Sequence, residues 1–374
     1  MSRLHWKVIV VVLGLGATLP CPAAVEAVTE RAALRFTHPG AVLVFDLSGG
    51  SLADFHLTGS TLNPFSWGSP RPGDIRTHGF GHFLCLDRWG PASDSEAANG
   101  MPYHGEAPNV TWRLDTPPHE EGAAIRGGMS AVLPIAGLRV ERRVEFSRSE
   151  AFAVVHETVS NENKLGRVYN CVQHPTIGPP FLATNTVVDC NGRRGFAQGG
   201  PMPNPEEPTS NWPRALNREG ESVDLRHLTG SPDPSVASFA IDDDYGWITA
   251  ASPSSGLLVG YLWRTRDYPW VSVWRDVRDG RPAARGLEFG TTGLHQPFAV
   301  LVKKGPIFGR PVLQYLDAGQ TTTRAYAVFL LRIPTDFAGV ESVSLREGRL
   351  LIRERGAAAN RDLTLNPGLS LESF

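Results

Sequence analysis

A chain of 374 residues with a formal charge of −2 and a pI near 6.6 can bury a large core and carries no basic footprint for nucleic acid. Charged residues are 20% of the chain, and 39 glycines with 30 prolines favour many turns over long helices. Of the four cysteines, the three beyond the N-terminal segment are too few for a disulfide framework, and no Cys-x-x-Cys or other zinc spacing occurs.

In chain order, the first element is a targeting signal. Arg3 and Lys7 precede an apolar run over 8–19, followed by Pro20-Cys21-Pro22-Ala23-Ala24. A charged head, a short apolar body and small residues at its end predict a secretory signal peptide over residues 1–27 and export to the periplasm or medium. The run is shorter than the ~20 residues that span a bilayer, so no stable membrane span is expected after cleavage. Cys21 offers a lipid-anchor alternative, weakened because Leu19 sits one position late for a lipobox. Cys85, Cys171 and Cys190 then remain, read as small buried hydrophobes, with a Cys171–Cys190 pairing left open.

Residues 28–374 read as one large all-β domain. Apolar or alternating runs at 41–45, 82–86, 110–114, 122–133, 138–146 and 151–160 predict strands, separated by turns rich in Gly, Ser, Pro and Asp. Residues 59–72 form a loop containing Phe65 and Trp67, and 91–100 form a polar loop. The stretch Asn170 to Leu182, NCVQHPTIGPPFL, starts as a strand, delivers His174 to its end and breaks at Gly178-Pro179-Pro180. Proline fixes its own φ and restricts its predecessor, so this turn is stiff. Residues 191–234 lack periodicity and are read as an excursion over one end of a sandwich. Strands resume at 235–241, 246–251, 257–263, 270–274, 286–289, 296–302 and 326–333, with a final set after 340. No amphipathic helix of twelve residues or more stands out.

Three positions stand apart chemically. His104 sits in the turn-rich Gly100-Met101-Pro102-Tyr103-His104-Gly105, where glycine permits close approach. His174 ends the central strand. Glu288 alternates with Leu287 and Phe289, so it faces the other way, into a cleft or into water. His78 and His82 are four apart, but Gly79-Phe80-Gly81 between them argues against a helical metal pair. Asp242-Asp243-Asp244 reads as a solvated turn and not a calcium site.

Taken in order, these motifs resemble the aldose 1-epimerase (galactose mutarotase-like) superfamily across most of the chain after the signal peptide. His104-Gly105 resembles its first histidine motif, and Gln173-His174-Pro175-Thr176-Ile177-Gly178-Pro179-Pro180-Phe181 its second. Tyr268-Pro269-Trp270-Val271-Ser272-Val273-Trp274 resembles the strand before the carboxylate, Gly286-Leu287-Glu288 the carboxylate motif, and Leu316-Asp317-Ala318-Gly319-Gln320 the turn before a closing strand.

The resemblance implies a large antiparallel β-supersandwich that interconverts sugar anomers by acid–base ring opening. It implies Glu288 as base, His174 as acid and His104 as a polarising neighbour flanking one pyranose ring, with no metal or organic cofactor. A carbohydrate, either a monosaccharide or a glycan end, is the implied partner. Reference values of ~4.3 for a glutamate and ~6.5 for a histidine suit such exchange near neutrality. The family's early Asn-x-Arg segment has no clean counterpart, and Arg88 in Asp87-Arg88-Trp89-Gly90 stands nearest. Gln173, Trp263 and Trp270 are further candidate sugar contacts, the tryptophans with Trp274 serving as core or platform. Two alternatives remain: a non-catalytic glycan-binding sandwich, and a relative of polysaccharide lyases or glycoside hydrolases.

Overall fold

The computed structural model describes residues 31–70, 74, 78–228, 230–356 and 361–369. The predicted signal peptide and Cys21 lie outside the described residues.

Two large antiparallel sheets face each other. The first runs, neighbour to neighbour, Ala33–His38, Ala41–Asp46, Leu52–Leu57, His82–Asp87, Arg167–Ile177, Arg281–Gly290, Trp270–Arg278, Val236–Ile241, Gly192–Ala197, Ser210–Asn211, Arg214–Leu216 and Ser222–Asp224. Gln314–Leu316 pairs with the start of Arg167–Ile177. The second sheet runs Val187–Cys190, Tyr245–Ser252, Leu257–Arg264, Thr321–Arg332, Phe152–Asn161, Leu138–Ser147, Ala124–Leu133 and Arg113–Glu121. A small sheet of Val340–Arg346, Arg349–Glu354 and Leu363–Leu365 covers the outer face of the second through Val343, Leu350 and Ile352, packed with Phe152, Val154 and Leu258.

The main core lies between the two large sheets, and period-two alternation decides what enters it. From the first sheet come Leu84, Leu86, Cys171, Val271, Val273, Leu287 and Phe289; from the second, Val140, Val155, Val259, Tyr261, Trp263 and Tyr326. Trp263 stacks on Phe289 with ring centroids 4.1 Å apart and planes 6° from parallel. The intervening residues of the first sheet, among them Phe83, Val172, His174, Trp274 and Glu288, therefore project from its opposite face.

A polar chain crosses this apolar core. Arg142 donates to Glu157 at 2.7 Å, Gln173 Nε2 donates to Glu157 at 2.6 Å, and Gln173 Oε1 is 3.0 Å from His82 Nε2. His82 Nδ1 lies 3.0 Å from the Tyr261 hydroxyl. Every member is buried. Buried polar groups persist only when paired, so this chain ties the Arg167–Ile177 strand to the second sheet.

Several expectations change, among them the polar loop at 91–100, which holds the one-turn helix Asp94–Ala98 capped by Ser93. Residues 296–302 are not a strand: Phe298–Lys304 is a short helix that follows Pro297, carries Lys303 and Lys304 in its last turn and stops at Gly305, φ 71°. Phe298 and Leu301, three apart, set its apolar side; the residues mimic alternation over too few positions to decide the period. The excursion over 191–234 contains four short strands that widen the first sheet, each too brief to show periodicity between its prolines and glycines. The strand expected at 110–114 begins at Arg113 and continues to Glu121, exposed throughout on the sheet's edge, where Pro117 and Pro118 are tolerated. Cys85, Cys171 and Cys190 are buried and free, so Cys171 and Cys190 do not pair.

Candidate functional site

The outer face of the first sheet carries one row of side chains at its centre. Phe83 pairs in register with His174, and Ser272 with Glu288. Gln173 pairs with Phe289, which puts His174 beside Glu288 one step along. Gly286 leaves that face clear, since a Cβ there would stand 2.7 Å from Glu288 Oε1. Loops close a cavity of about 410 Å³ over the row, lined by Trp67, Phe83, Trp89, Tyr103, His104, Asn109, His174, Trp274, Glu288 and His295. Mostly aromatic walls around a few convergent polar groups are the usual build of a small-molecule site.

His174 Nε2 lies 3.4 Å from Glu288 Oε1. The two groups are side by side on the floor and do not face each other across the cavity, so a ring bound there rests above both. His174 Nδ1 is 3.0 Å from the Thr176 hydroxyl, and Phe83 stacks on the imidazole at 4.3 Å. Glu288 Oε2 accepts a 2.7 Å hydrogen bond from the Trp89 indole N–H.

Burial displaces the pair in opposite senses. It pushes the Glu288 carboxyl up to about 8, with the Trp89 bond opposing, and lowers the His174 imidazole to about 3. Desolvation penalises whichever form is charged, so a neutral acid sits beside a neutral base at pH 7. The resting proton is thus on Glu288, the reverse of what reference values suggest.

His104 reaches the cavity from the turn of Pro102 to Gly105. Its φ is 66°, and it is clamped to Gly90 by two 3.0 Å bonds, Gly90 N–H to His104 Nδ1 and His104 N–H to the Gly90 carbonyl. An accepting Nδ1 leaves the ring proton on Nε2. Burial, with His174 and His295 nearby, lowers this ring to about 2. The close approach at Gly105 is made by the chain itself: its α-carbon faces the Leu86 carbonyl in a parallel bridge.

Trp89, Tyr103 and His295 escape the sequence reading. The turn that carries Trp89 is fixed by Asp87, φ 86°, whose carboxylate takes Arg88 at 2.7 Å and also pairs with Arg167. His295 follows the Glu288 strand and meets the Tyr103 hydroxyl at 3.0 Å. Burial lowers it to about 4. Nothing local marks these three, because loops from separate strands bring them together.

Four candidate sugar contacts lie elsewhere. Arg88 is buried with its donors taken up by Asp87 and Glu96, at 2.7 and 2.9 Å. Gln173 faces the inter-sheet core, as strand parity requires of the residue next to His174. Trp263 is in that core, donating to the Tyr268 carbonyl at 2.8 Å. Trp270 lies under the Phe298–Lys304 helix and donates to the Pro311 carbonyl at 2.7 Å. Of the three tryptophans weighed as platforms, Trp274 lines the cavity. His78 bonds the Ser48 carbonyl and His82 the core chain, and among the described residues no group of three His, Cys, Asp or Glu is arranged to hold a metal. Asp242 is an exposed hairpin residue paired with Arg194 and Arg310.

No family model matches the chain, and no curated protein matches it in sequence. Solved structures do match. A galactose mutarotase-like protein from Clostridium acetobutylicum superposes with a TM-score of 0.56 at 13% identity, covering 81% of this chain and 96% of that one. The galactose mutarotase related enzyme from Lactobacillus acidophilus gives 0.54 at 10% identity, covering 84% and 100%. A galactose mutarotase-like protein from Lactobacillus casei gives 0.52 at 14%, covering 80% and 100%. At these identities the likeness speaks for architecture, and the architecture is that of the galactose mutarotase-like β-sandwich.

Proposed function

We propose that the protein is a carbohydrate-active isomerase of aldose 1-epimerase type, interconverting sugar anomers by acid–base ring opening. The observation that carries this reading is the His174–Glu288 contact of 3.4 Å on the floor of an aromatic cavity, with the two groups displaced in opposite senses by burial.

The pair holds one mobile proton. Ring opening moves the anomeric hydroxyl proton to one member while the other protonates the ring oxygen, the C1–O5 bond breaks and C1 becomes a carbonyl. From the resting state, Glu288 gives its proton to the ring oxygen and His174 takes the one from O1. After rotation about C1–C2, the carbonyl oxygen takes the proton back from His174 as O5 attacks the other face of C1. Glu288 recovers its proton from O5, and the site ends as it began. The resemblance implied the converse starting positions, but the pH dependence follows the proton count and not the starting atom. His104 supplies its Nε2–H as a neutral donor beside the pair. Positioned acid–base groups of this kind contribute ~10² to 10⁴-fold in rate. The described lining supplies one carboxylate, Glu288, whereas glycoside hydrolysis ordinarily uses two.

The test is polarimetry of freshly dissolved α-glucose and α-galactose. The protein accelerates mutarotation and Glu288→Gln abolishes the acceleration. Acceleration that survives the substitution removes Glu288 from the chemistry. Sugar binding without any acceleration favours the glycan-binding alternative.

A further inference from the structure

Beyond the acid–base pair the same cavity is walled by two indoles. The Trp67 and Trp274 rings meet edge to face, centroids 5.6 Å apart at 83°, forming a right-angled corner of two half-buried indoles. Trp274 also borders His174, at 6.2 Å, so the corner adjoins the floor pair. Neither indole is a loose surface ring. Trp274 is fixed by the strand Trp270–Arg278. Trp67 is fixed by the stiff turn that follows the His174 strand: Gly178 N–H donates to the Pro64 carbonyl at 3.2 Å, and the Ser66 hydroxyl to the Pro179 carbonyl at 2.8 Å. The approach at Gly178 is close: a Cβ there would stand 3.1 Å from the Trp67 Cα, Cβ and N, so Trp67 would have to give by a few tenths of an ångström. The same β-strand and turn therefore place both the reacting histidine and the outer indole.

Volume leaves space beyond one ring. An apolar cavity of ~150 Å³ takes one benzene ring, so a hexose, with twice the heavy atoms, needs on the order of 300 Å³ by that scale. The cavity here is about 410 Å³, more than one sugar ring fills. An indole corner offers flat apolar surface to the CH face of a pyranose while leaving its hydroxyls in water.

Resting on the epimerase reading, we propose that the substrate is the reducing end of an oligosaccharide: the terminal ring lies over His174 and Glu288, and the penultimate ring packs into the Trp67–Trp274 corner. The experiment compares glucose and galactose with maltose, cellobiose and lactose, by polarimetry for turnover and by calorimetric titration for binding. At least one disaccharide is expected to exceed both monosaccharides about tenfold in kcat/KM, the worth of one well-made aromatic contact. Trp67→Ala collapses that ratio toward one, and Trp67→Phe restores part of it. Equal values for one ring and two, or a ratio indifferent to Trp67→Ala, overturns the proposal. If no sugar is turned over, the epimerase reading fails on its own, and binding decides the role of the indole corner. Tighter binding of a disaccharide, lost in Trp67→Ala, supports it; no preference overturns it.

Discussion

Replacing Trp89 by phenylalanine removes one hydrogen bond and keeps most of a ring. The indole N–H donates to Glu288 Oε2 at 2.7 Å and is the one influence opposing the burial that lifts this carboxyl to about 8. A hydrogen bond to a charged acceptor is worth ~1.5–3 kcal/mol, and 1.36 kcal/mol corresponds to one pH unit. Because the bond favours the ionised form, its loss raises the carboxyl further, by about 1–2 pH units. In the proposed mechanism activity needs one proton on the His174–Glu288 pair and is lost as pH rises through the Glu288 value. The wild-type mutarotation profile should therefore fall near pH 8, and that of Trp89→Phe about 1–2 units higher. Phenylalanine retains a ring beside His295, which Trp89 meets edge-on at 4.7 Å, so the wall stays filled. The ¹³C shift of the Glu288 carboxyl followed by NMR gives the same midpoint without turnover. A midpoint that stays put or moves down refutes the assignment of Trp89 as the group stabilising the anion.

The same carboxyl links stability to pH. Its folded value is raised, so its stabilising contribution is present at low pH and lost as pH rises through about 8. Glu288→Gln, which carries no charge, should gain in melting temperature relative to wild type between pH 6 and pH 9; a constant difference contradicts this. Glu157→Ala strands the buried Arg142 guanidinium and should cost ~3–5 kcal/mol in urea unfolding, whereas Arg142→Met with Glu157→Leu recovers most of it. A loss below about 1 kcal/mol for the single variant denies the buried pair its structural role. Gly105→Ala forces a Cβ onto the Leu86 carbonyl at a φ of 79° and should cost ~3 kcal/mol, from overpacking and left-handed strain together. Chemical denaturation that leaves the midpoint unmoved excludes that clash.

Strand alternation made the sandwich legible and put Glu288 opposite Leu287 and Phe289, because parity is a property of neighbouring residues. The same parity rules out Gln173 once His174 is assigned to the cavity, since adjacent strand residues cannot share a face. Parity does not separate Trp270 from Trp274, which share a face four residues apart. The Phe298–Lys304 helix and the Pro311 carbonyl cover the first, and the cavity takes the second. That helix was misread as a strand, so its cover could not be foreseen. Trp89, Tyr103 and His295 were invisible for a related reason. Their positions come from the Asp87–Arg88–Arg167 cluster and from loop contacts between residues some two hundred positions apart, as in Tyr103 with His295.

The stretch from Asn170 to Leu182 explains why the site is rigid. One face of its strand places Gln173 in the buried chain to Glu157, Arg142 and His82, and the other places His174 beside Glu288. Its closing turn holds Trp67 through Gly178 and Pro179. His174 and the core anchor Gln173 thus share one backbone segment, and its closing turn contacts the loop that carries Trp67. In the proposed mechanism both groups, 3.4 Å apart, exchange protons with one sugar ring, which depends on that placement, since misplacements of an ångström can cost ~10²-fold in rate. On the proposed function, substitutions in the Arg142–Glu157–Gln173 chain should therefore lower turnover from the far side of the sheet, through the position of His174.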